Sequence, residues 1–282
     1  MPVNLKKYFA QTYRKITIPE SRTEKEAILY WLFENKLKAS RTEILTEKLV
    51  EVDTKLIDSM ILRINSYEPI QYILGESIFM GRTFFVNPSV LVPRPETEWM
   101  TNEVINKYKN IPNLKLMDIG TGSGCIAVTL KLELDDPIVY ATDFSSATLD
   151  VSRKNATQNQ ASIYFYESDI LLEDIPTQNL DIIVSNPPYI LNSEKKSLSP
   201  NVINYEPESA LFVPEEDPFI FYRNIALKSM KSLKSGGSLI TEINELYGQE
   251  ITTLFEQAGF EKVRIIKDLL GKDRMVWGMK KG

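Results

Sequence analysis

"MDIGTGSGC", residues 117–125, ends an apolar run that begins at Leu114 and sets Gly120, Gly122 and Gly124 at alternate positions. An apolar stretch that breaks into glycines and resumes as "GCIAVTLKLE" predicts a strand turning into a helix. In open parallel sheets, ligands bind at the carboxyl ends of strands, and glycine there lets a ligand approach the backbone without meeting a Cβ. A tight turn alone would also use glycines, so the stretch has to be read with what surrounds it.

Downstream, strands and helices alternate. "PIVYATD" (137–143), "SIYFYES" (162–168), "LDIIVSN" (180–186) and "SLITEI" (238–243) read as further strands. "SSATLDVSRKNATQNQ" (145–160, with Ser145 as cap), "DPFIFYRNIALKSMKSLKSGG" (217–237, closed by its glycines) and "GQEITTLFEQAGF" (248–260) read as helices. Near-continuous apolar strands separated by helices mean a mostly parallel sheet covered on both faces. The last stretch, "EKVRIIKDLLGKDRMVWGMK" (261–280), holds two strands around a loop too short for a crossover, so they are expected to be antiparallel. The fold class is therefore α/β, Rossmann-like, with a seven-stranded sheet and an antiparallel final strand.

Upstream, residues 1–72 read as a small helical bundle. Ala27, Ile28, Trp31, Leu32 and Leu37 lie at helical spacing, as do Leu56, Met60, Ile61 and Ile64 before Pro69. "SRTEILTEKLVEV" (40–52) opens with the capping-box pair Ser40 and Glu43. Residues 73–95 change character: β-formers flank Gly81-Arg82, and Pro88, Pro93 and Pro95 stiffen the chain. The expected division is thus 1–72 helical, 73–95 a β-hairpin linker, and 96–282 the α/β domain.

Composition narrows the chemistry. The 282 residues include no histidine, which removes Ser-His-Asp and Cys-His schemes and histidine-ligated metals; no metal site is expected. The single cysteine, Cys125, excludes an internal disulfide framework and fits a cytoplasmic protein. No apolar run is long enough for a membrane span, the amino-terminal stretch has no apolar signal core, and a net charge of −5 argues against a nucleic-acid partner.

Asp143 ends the second strand roughly 20 residues after the glycine turn, where a carboxylate accepts from both hydroxyls of a ribose. A glycine turn with such an acid fits a nicotinamide dinucleotide or S-adenosylmethionine. The stretch G-T-G-S-G, with Asp118 just ahead, favours the cationic ligand, because a carboxylate beside a pyrophosphate would repel it. Ile170, at the end of the third strand, either borders the adenine or is plain core.

"NPPY" (186–189) ends the fourth strand, expected beside the first. A planar NH2 is a poor nucleophile until acceptors hold both protons. The side-chain oxygen of Asn186 and the carbonyl of Pro187 can do so, Pro188 stiffens the backbone, and Tyr189 offers a flat face for stacking. The motif suits methylation of a planar NH2 and leaves adenine N6 and glutamine N5 both open. A strand-terminating loop, a non-catalytic S-adenosylmethionine-binding module and a dehydrogenase are the competing readings.

Taken together, "EPIQYILGESIFMGRTFFVNPSVLVPRPETE" (68–98), "DIGTGSGCIAV" (118–128), "DIIVSNPPYI" (181–190) and "YEPESALF" (205–212) resemble the HemK-type protein-(glutamine-N5) methyltransferases. The resemblance implies a class I S-adenosylmethionine-dependent methyltransferase fold. It also implies methyl transfer to the glutamine of the Gly-Gly-Gln motif in class 1 peptide chain release factors, with S-adenosyl-L-homocysteine as product. It would place Gly120, Thr121, Gly122, Ser123, Gly124, Asp143, Ile170 and Asn186 on S-adenosyl-L-methionine. Asn186, Pro187, Pro188 and Tyr189 would lie on the substrate glutamine, with Asn186, Pro187 and Tyr189 catalytic. Arg94 and Glu96 would lie near the site's opening, the helical region would grip the release factor, and a monomer is expected.

Overall fold

A computed structural model describes residues 2–282, which divide into two compact units. One holds the residues through Glu76 together with Ser199–Tyr205; the other holds Ser77–Leu198 and Glu206–Gly282.

The first unit is mostly helical. Helices Leu5–Tyr13, Arg22–Leu37, Thr54–Asn65 and Ile70–Leu74 surround a core of Leu5, Leu29, Leu32, Phe33, Ile44 and Ile57. The buried face of the second helix is centred on Leu29, Leu32 and Phe33, with Ile28, Trp31 and Leu37 only partly covered, so the apolar stripe is rotated from the one expected. Likewise Ile57 is buried where Leu56 is exposed. The capping box at Ser40 and Glu43 forms, but its helix ends at Ile44. Leu49–Glu51 is a strand that pairs antiparallel with Pro2–Asn4, which overturns the helix expected through residue 52. Pro69 precedes the short helix Ile70–Leu74 and does not end the longer one, which stops at Asn65. Residues 199–205 join this unit through a helix, Pro200–Tyr205, whose Tyr205 hydroxyl donates to the Ser66 carbonyl at 2.8 Å.

The second unit is built on seven strands: β1 (Lys115–Ile119), β2 (Ile138–Asp143), β3 (Tyr164–Glu167), β4 (Leu180–Ser185), β5 (Leu233–Glu242), β6 (Phe260–Lys267) and β7 (Asp273–Lys280). Their order across the sheet is β6-β7-β5-β4-β1-β2-β3, and β7 alone runs opposite to the other six. Helices α1 (Pro95–Tyr108), α2 (Cys125–Glu133), α3 (Ser146–Gln158), α4 (Ile220–Ser232) and α5 (Gly248–Gln257) cover it. Alternation along β1 feeds two cores: Leu116 packs with Met100, Val104 and Val128, while Met117 packs with Ile225, Leu239 and Phe255. The hairpin Glu76–Phe79 and Arg82–Phe85 sends Phe79 and Phe84, both fully buried, into the first of these.

The glycines of "KSGG" do not cap α4. That helix ends at Ser232, and Leu233 begins β5 at once. Gly236 and Gly237 form an irregularity between Leu233 and Ser238, where a Cβ at Gly237 would come 2.9 Å from the Lys234 carbonyl oxygen.

Candidate active site

Register brings the two sequence motifs to one edge. β1 pairs in parallel with β4, Asp118 with Val184 and Ile119 with Ser185, and Ser185 Oγ donates to the Ile119 carbonyl at 2.7 Å. The glycine turn and "NPPY" therefore leave the carboxyl ends of adjacent strands, the end at which such sheets bind ligands. A cavity of about 380 Å³ opens there. Gly120, Thr121, Gly122, Ser123, Asp143, Ile170, Asn186, Pro187 and Pro188 line it.

The turn is held open by its backbone. Gly120, Gly122 and Gly124 adopt φ of +71°, +56° and +80°, the left-handed region that side chains disfavour. A Cβ at Gly120 or Gly122 would meet no protein atom within 4 Å, so both keep the cavity clear. Helix α3 fixes the turn from behind: Ser152 Oγ donates to the Gly122 carbonyl at 2.7 Å and Asn155 Nδ2 to the Ser123 carbonyl at 2.8 Å. Asn155 also exchanges hydrogen bonds with the backbone of Phe85, which ties the hairpin to the turn. Neither residue carries a sequence signal of its own, since both read as ordinary polar positions of a helix.

Asp143 ends β2 with its carboxylate between two backbone donors, Gly122 N–H at 3.1 Å and Ser145 N–H at 3.2 Å. Burial raises its pKa, and the backbone donors oppose that rise. Each oxygen retains a lone pair for a ligand hydroxyl. The left-handed Gly120 and Gly122, the clear space in front of them and this acceptor fit the adenosyl and ribose parts of S-adenosylmethionine.

Three expected placements need correction. Gly124 is not a wall of the cavity; it begins α2, and a Cβ there would meet Ser152 Cβ at 3.3 Å. Asp118 does not face the ligand. It is fully buried, its Oδ2 accepts from Thr121 Oγ1 at 2.6 Å, and burial lifts its pKa to about 7. Tyr189 is not among the residues lining the cavity: its hydroxyl donates to Glu242 Oε1 at 3.3 Å and its half-buried ring packs beside the core around Ile183 and Tyr222.

Glu242 is the partner that sequence reading missed. Thr241 pairs with Ser185, so the residues that follow each, Glu242 and Asn186, sit at neighbouring strand ends. Thr97, in the first turn of α1, stands between them. Asn186 Nδ2 donates to Thr97 Oγ1 at 3.0 Å, and Thr97 Oγ1 donates to Glu242 Oε2 at 2.7 Å. Glu242 is 2 % exposed, and its burial pushes its pKa up to about 7 against the Thr97 hydrogen bond. Near the opening, Arg94 makes two hydrogen bonds of 2.7 Å to the buried carboxylate of Glu206, bracing one wall; burial raises that carboxylate's pKa and Arg94 lowers it. Glu96 lies outside the cavity's walls.

No helix among the described residues is long and apolar enough to cross a membrane. Nor does any group of histidine, cysteine, aspartate and glutamate side chains among them suit a metal ion.

A family model described as the methyltransferase small domain matches residues 100–206. A crystal structure of a methyltransferase from Pyrococcus furiosus shares the fold, with a TM-score of 0.53 over 72 % of this chain and 91 % of that one, at 18 % identity. The release factor glutamine methyltransferase of Flavobacterium psychrophilum is 38 % identical over 96 % of this chain and 98 % of its own length. That of Bacteroides thetaiotaomicron is 45 % identical over 78 % of this chain and 79 % of its own. At this identity and coverage, on a class I methyltransferase sheet with "NPPY" beside the glycine turn, the chain belongs to the release factor glutamine methyltransferase family.

Proposed function

We propose that the chain transfers a methyl group from S-adenosyl-L-methionine to the side-chain N5 of the glutamine in the Gly-Gly-Gln motif of class 1 release factors. The observation that supports this most directly is the shared cavity wall of Gly120–Ser123 and Asn186–Pro188, set there by the β1–β4 register. Bound in the cavity, the cofactor would supply an electrophilic methyl group on a sulfonium: the S–CH3 bond breaks as the N–CH3 bond forms, S-adenosyl-L-homocysteine is the leaving group, and the amide nitrogen gives up one proton to solvent. Gly120 and Gly122 give its path along the backbone, Asp143 holds the ribose hydroxyls, and Ile170 borders the adenine.

The chain's own part in the chemistry is positioning. Asn186 Nδ2 is engaged by Thr97, so Oδ1 is the atom left to accept one proton of the substrate amide. The Pro187 carbonyl accepts the other, on a backbone stiffened by Pro188. With both N–H bonds held, the amide plane is fixed and the nitrogen can be approached along one line; orientation of this kind is a main catalytic resource where no strong base is present. The helical unit, residues 1–72 by the sequence division, is assigned to recognition of the release factor.

Mass spectrometry of a Gly-Gly-Gln release-factor peptide, before and after incubation with enzyme and methyl donor, tests the reading. One added methyl on the glutamine amide is expected. An unmodified peptide beside a methylated nucleic acid would overturn it.

A further inference from the structure

We propose that Thr97 and Glu242 are positioning residues that set which end of the Asn186 amide faces the substrate. The proposal rests on the function proposed above and deepens it.

A threonine hydroxyl carries one proton and two lone pairs. Thr97 Oγ1 stands 2.7 Å from Glu242 Oε2 and 3.0 Å from Asn186 Nδ2. The Thr97 hydroxyl donates to Glu242 Oε2, so its proton points to Glu242; above about pH 7, where the carboxyl is ionised, it can only accept and the direction is fixed. What Thr97 then offers Asn186 is a lone pair, which an NH2 satisfies and a carbonyl oxygen does not. A turned amide would set Oδ1 against the Thr97 oxygen with no proton between them. The relay thus selects one of two amide orientations, the one that leaves Oδ1 to the cavity.

The relay is rigid at each member. Thr97 is 3 % exposed and Glu242 2 %. Thr97 is also anchored through its carbonyl, which accepts from Thr101 Oγ1 at 2.8 Å. Glu242 Oε1 takes the Tyr189 hydroxyl, and the Glu242 carbonyl takes the Tyr222 hydroxyl at 3.0 Å. Tyr189 of "NPPY" therefore orders the site from behind: it holds the carboxylate that holds Thr97. A polar network this deeply buried is costly unless its members are paired. Here its members are the end of β5, the start of α1 and the loop after β4, which meet only in the folded unit.

The test uses the full chain, a Gly-Gly-Gln peptide and calorimetry with S-adenosyl-L-homocysteine. Thr97→Val keeps the shape and removes the hydroxyl. Its kcat should fall about ten- to a hundred-fold, with KM and cofactor affinity within about two-fold, because the amide is present but free to turn. Thr97→Ser, which restores the hydroxyl, should recover most of the loss. A wild-type kcat in Thr97→Val, or a Thr97→Ser no better than Thr97→Val, would overturn the relay. Should Thr97→Val fail to fold, Glu242→Met replaces the buried charge by an apolar side chain of similar length and carries the same expectation; a wild-type kcat there also overturns it. Absence of transfer by the unaltered chain would sink the underlying reading instead, so the two failures are told apart.

Discussion

Two turns leave adjacent strands of one sheet and are made of opposite residues. After β1 the chain turns on Gly120, Gly122 and Gly124, all left-handed; after β4 it runs straight into Pro187 and Pro188. The first wall works by lacking side chains: it clears room and is held from behind by Ser152 and Asn155. The second works by presenting one side chain, Asn186, steadied by Thr97. On the proposed function, one sheet edge would support a binding wall and a reacting wall, told apart by residue type: glycine where a ligand must come close, proline where an atom must not move.

If the two walls divide the work in this way, substitutions should separate affinity from turnover. Asn186→Ala is expected to have the largest effect, lowering kcat roughly 10²–10³-fold while cofactor affinity changes by less than about three-fold. Equal losses in both would erase the distinction. Asp143→Ala acts on the other wall and should weaken cofactor binding about ten-fold or more, with kcat at saturation nearly retained, because it removes hydrogen bonds to a charged acceptor. Titration calorimetry and saturation kinetics read both. Gly122→Ala should be milder: at φ of +56° a side chain costs about 1 kcal/mol, and its Cβ enters the cavity, so affinity should fall a few-fold and Tm by a few degrees.

A pH-dependent effect on stability, with no loss of turnover to read, sharpens the second wall. Glu242 has a folded pKa of about 7 against an ordinary 4.5, so the folded chain holds this proton more tightly than the unfolded one. Its stabilising contribution is complete below about pH 4.5 and is lost as the pH rises through about 7, a difference on the order of 3 kcal/mol. Glu96 adds to the rise, while Thr97, Tyr189 and Arg274 oppose it. Glu242→Met has no such group, so its Tm relative to the unaltered chain should increase by a few degrees between about pH 5 and about pH 8. A constant difference would mean that the carboxyl does not titrate in this range. Asp118, also raised to about 7, titrates alike in both proteins and cancels in the comparison.

Most of the α/β unit was legible because its strands are apolar along their whole length. "LKLMDI" and "LDIIVS" admit few other readings, and the short turn before β7 requires an antiparallel end. The floor of the cavity was legible for the same reason: glycines and an acid at strand ends lie in sequence where they act. Thr97 and Glu242 were not, since 145 residues separate them and neither breaks a local rule. Asp118 and Tyr189 were recognised as residues of interest, but their polar partners were not legible. Proximity along the chain placed them near the ligand, whereas buried partners hold Asp118 Oδ2 (Thr121) and the Tyr189 hydroxyl (Glu242). In the helical unit, strands of three residues are too short to show a period, so Leu49–Glu51 passed for helix.

The excursion of residues 199–205 means that the helical unit is stitched from two separate pieces of polypeptide. A deletion that removes everything through Glu76 would still leave its last helix attached to the remainder, with Tyr205 deprived of the Ser66 carbonyl. Shuffling this region between relatives by a single crossover would yield a mismatched hybrid. If these helices do recognise the protein substrate, as proposed, grafting a different specificity would take residues 199–205 along with the amino-terminal helices.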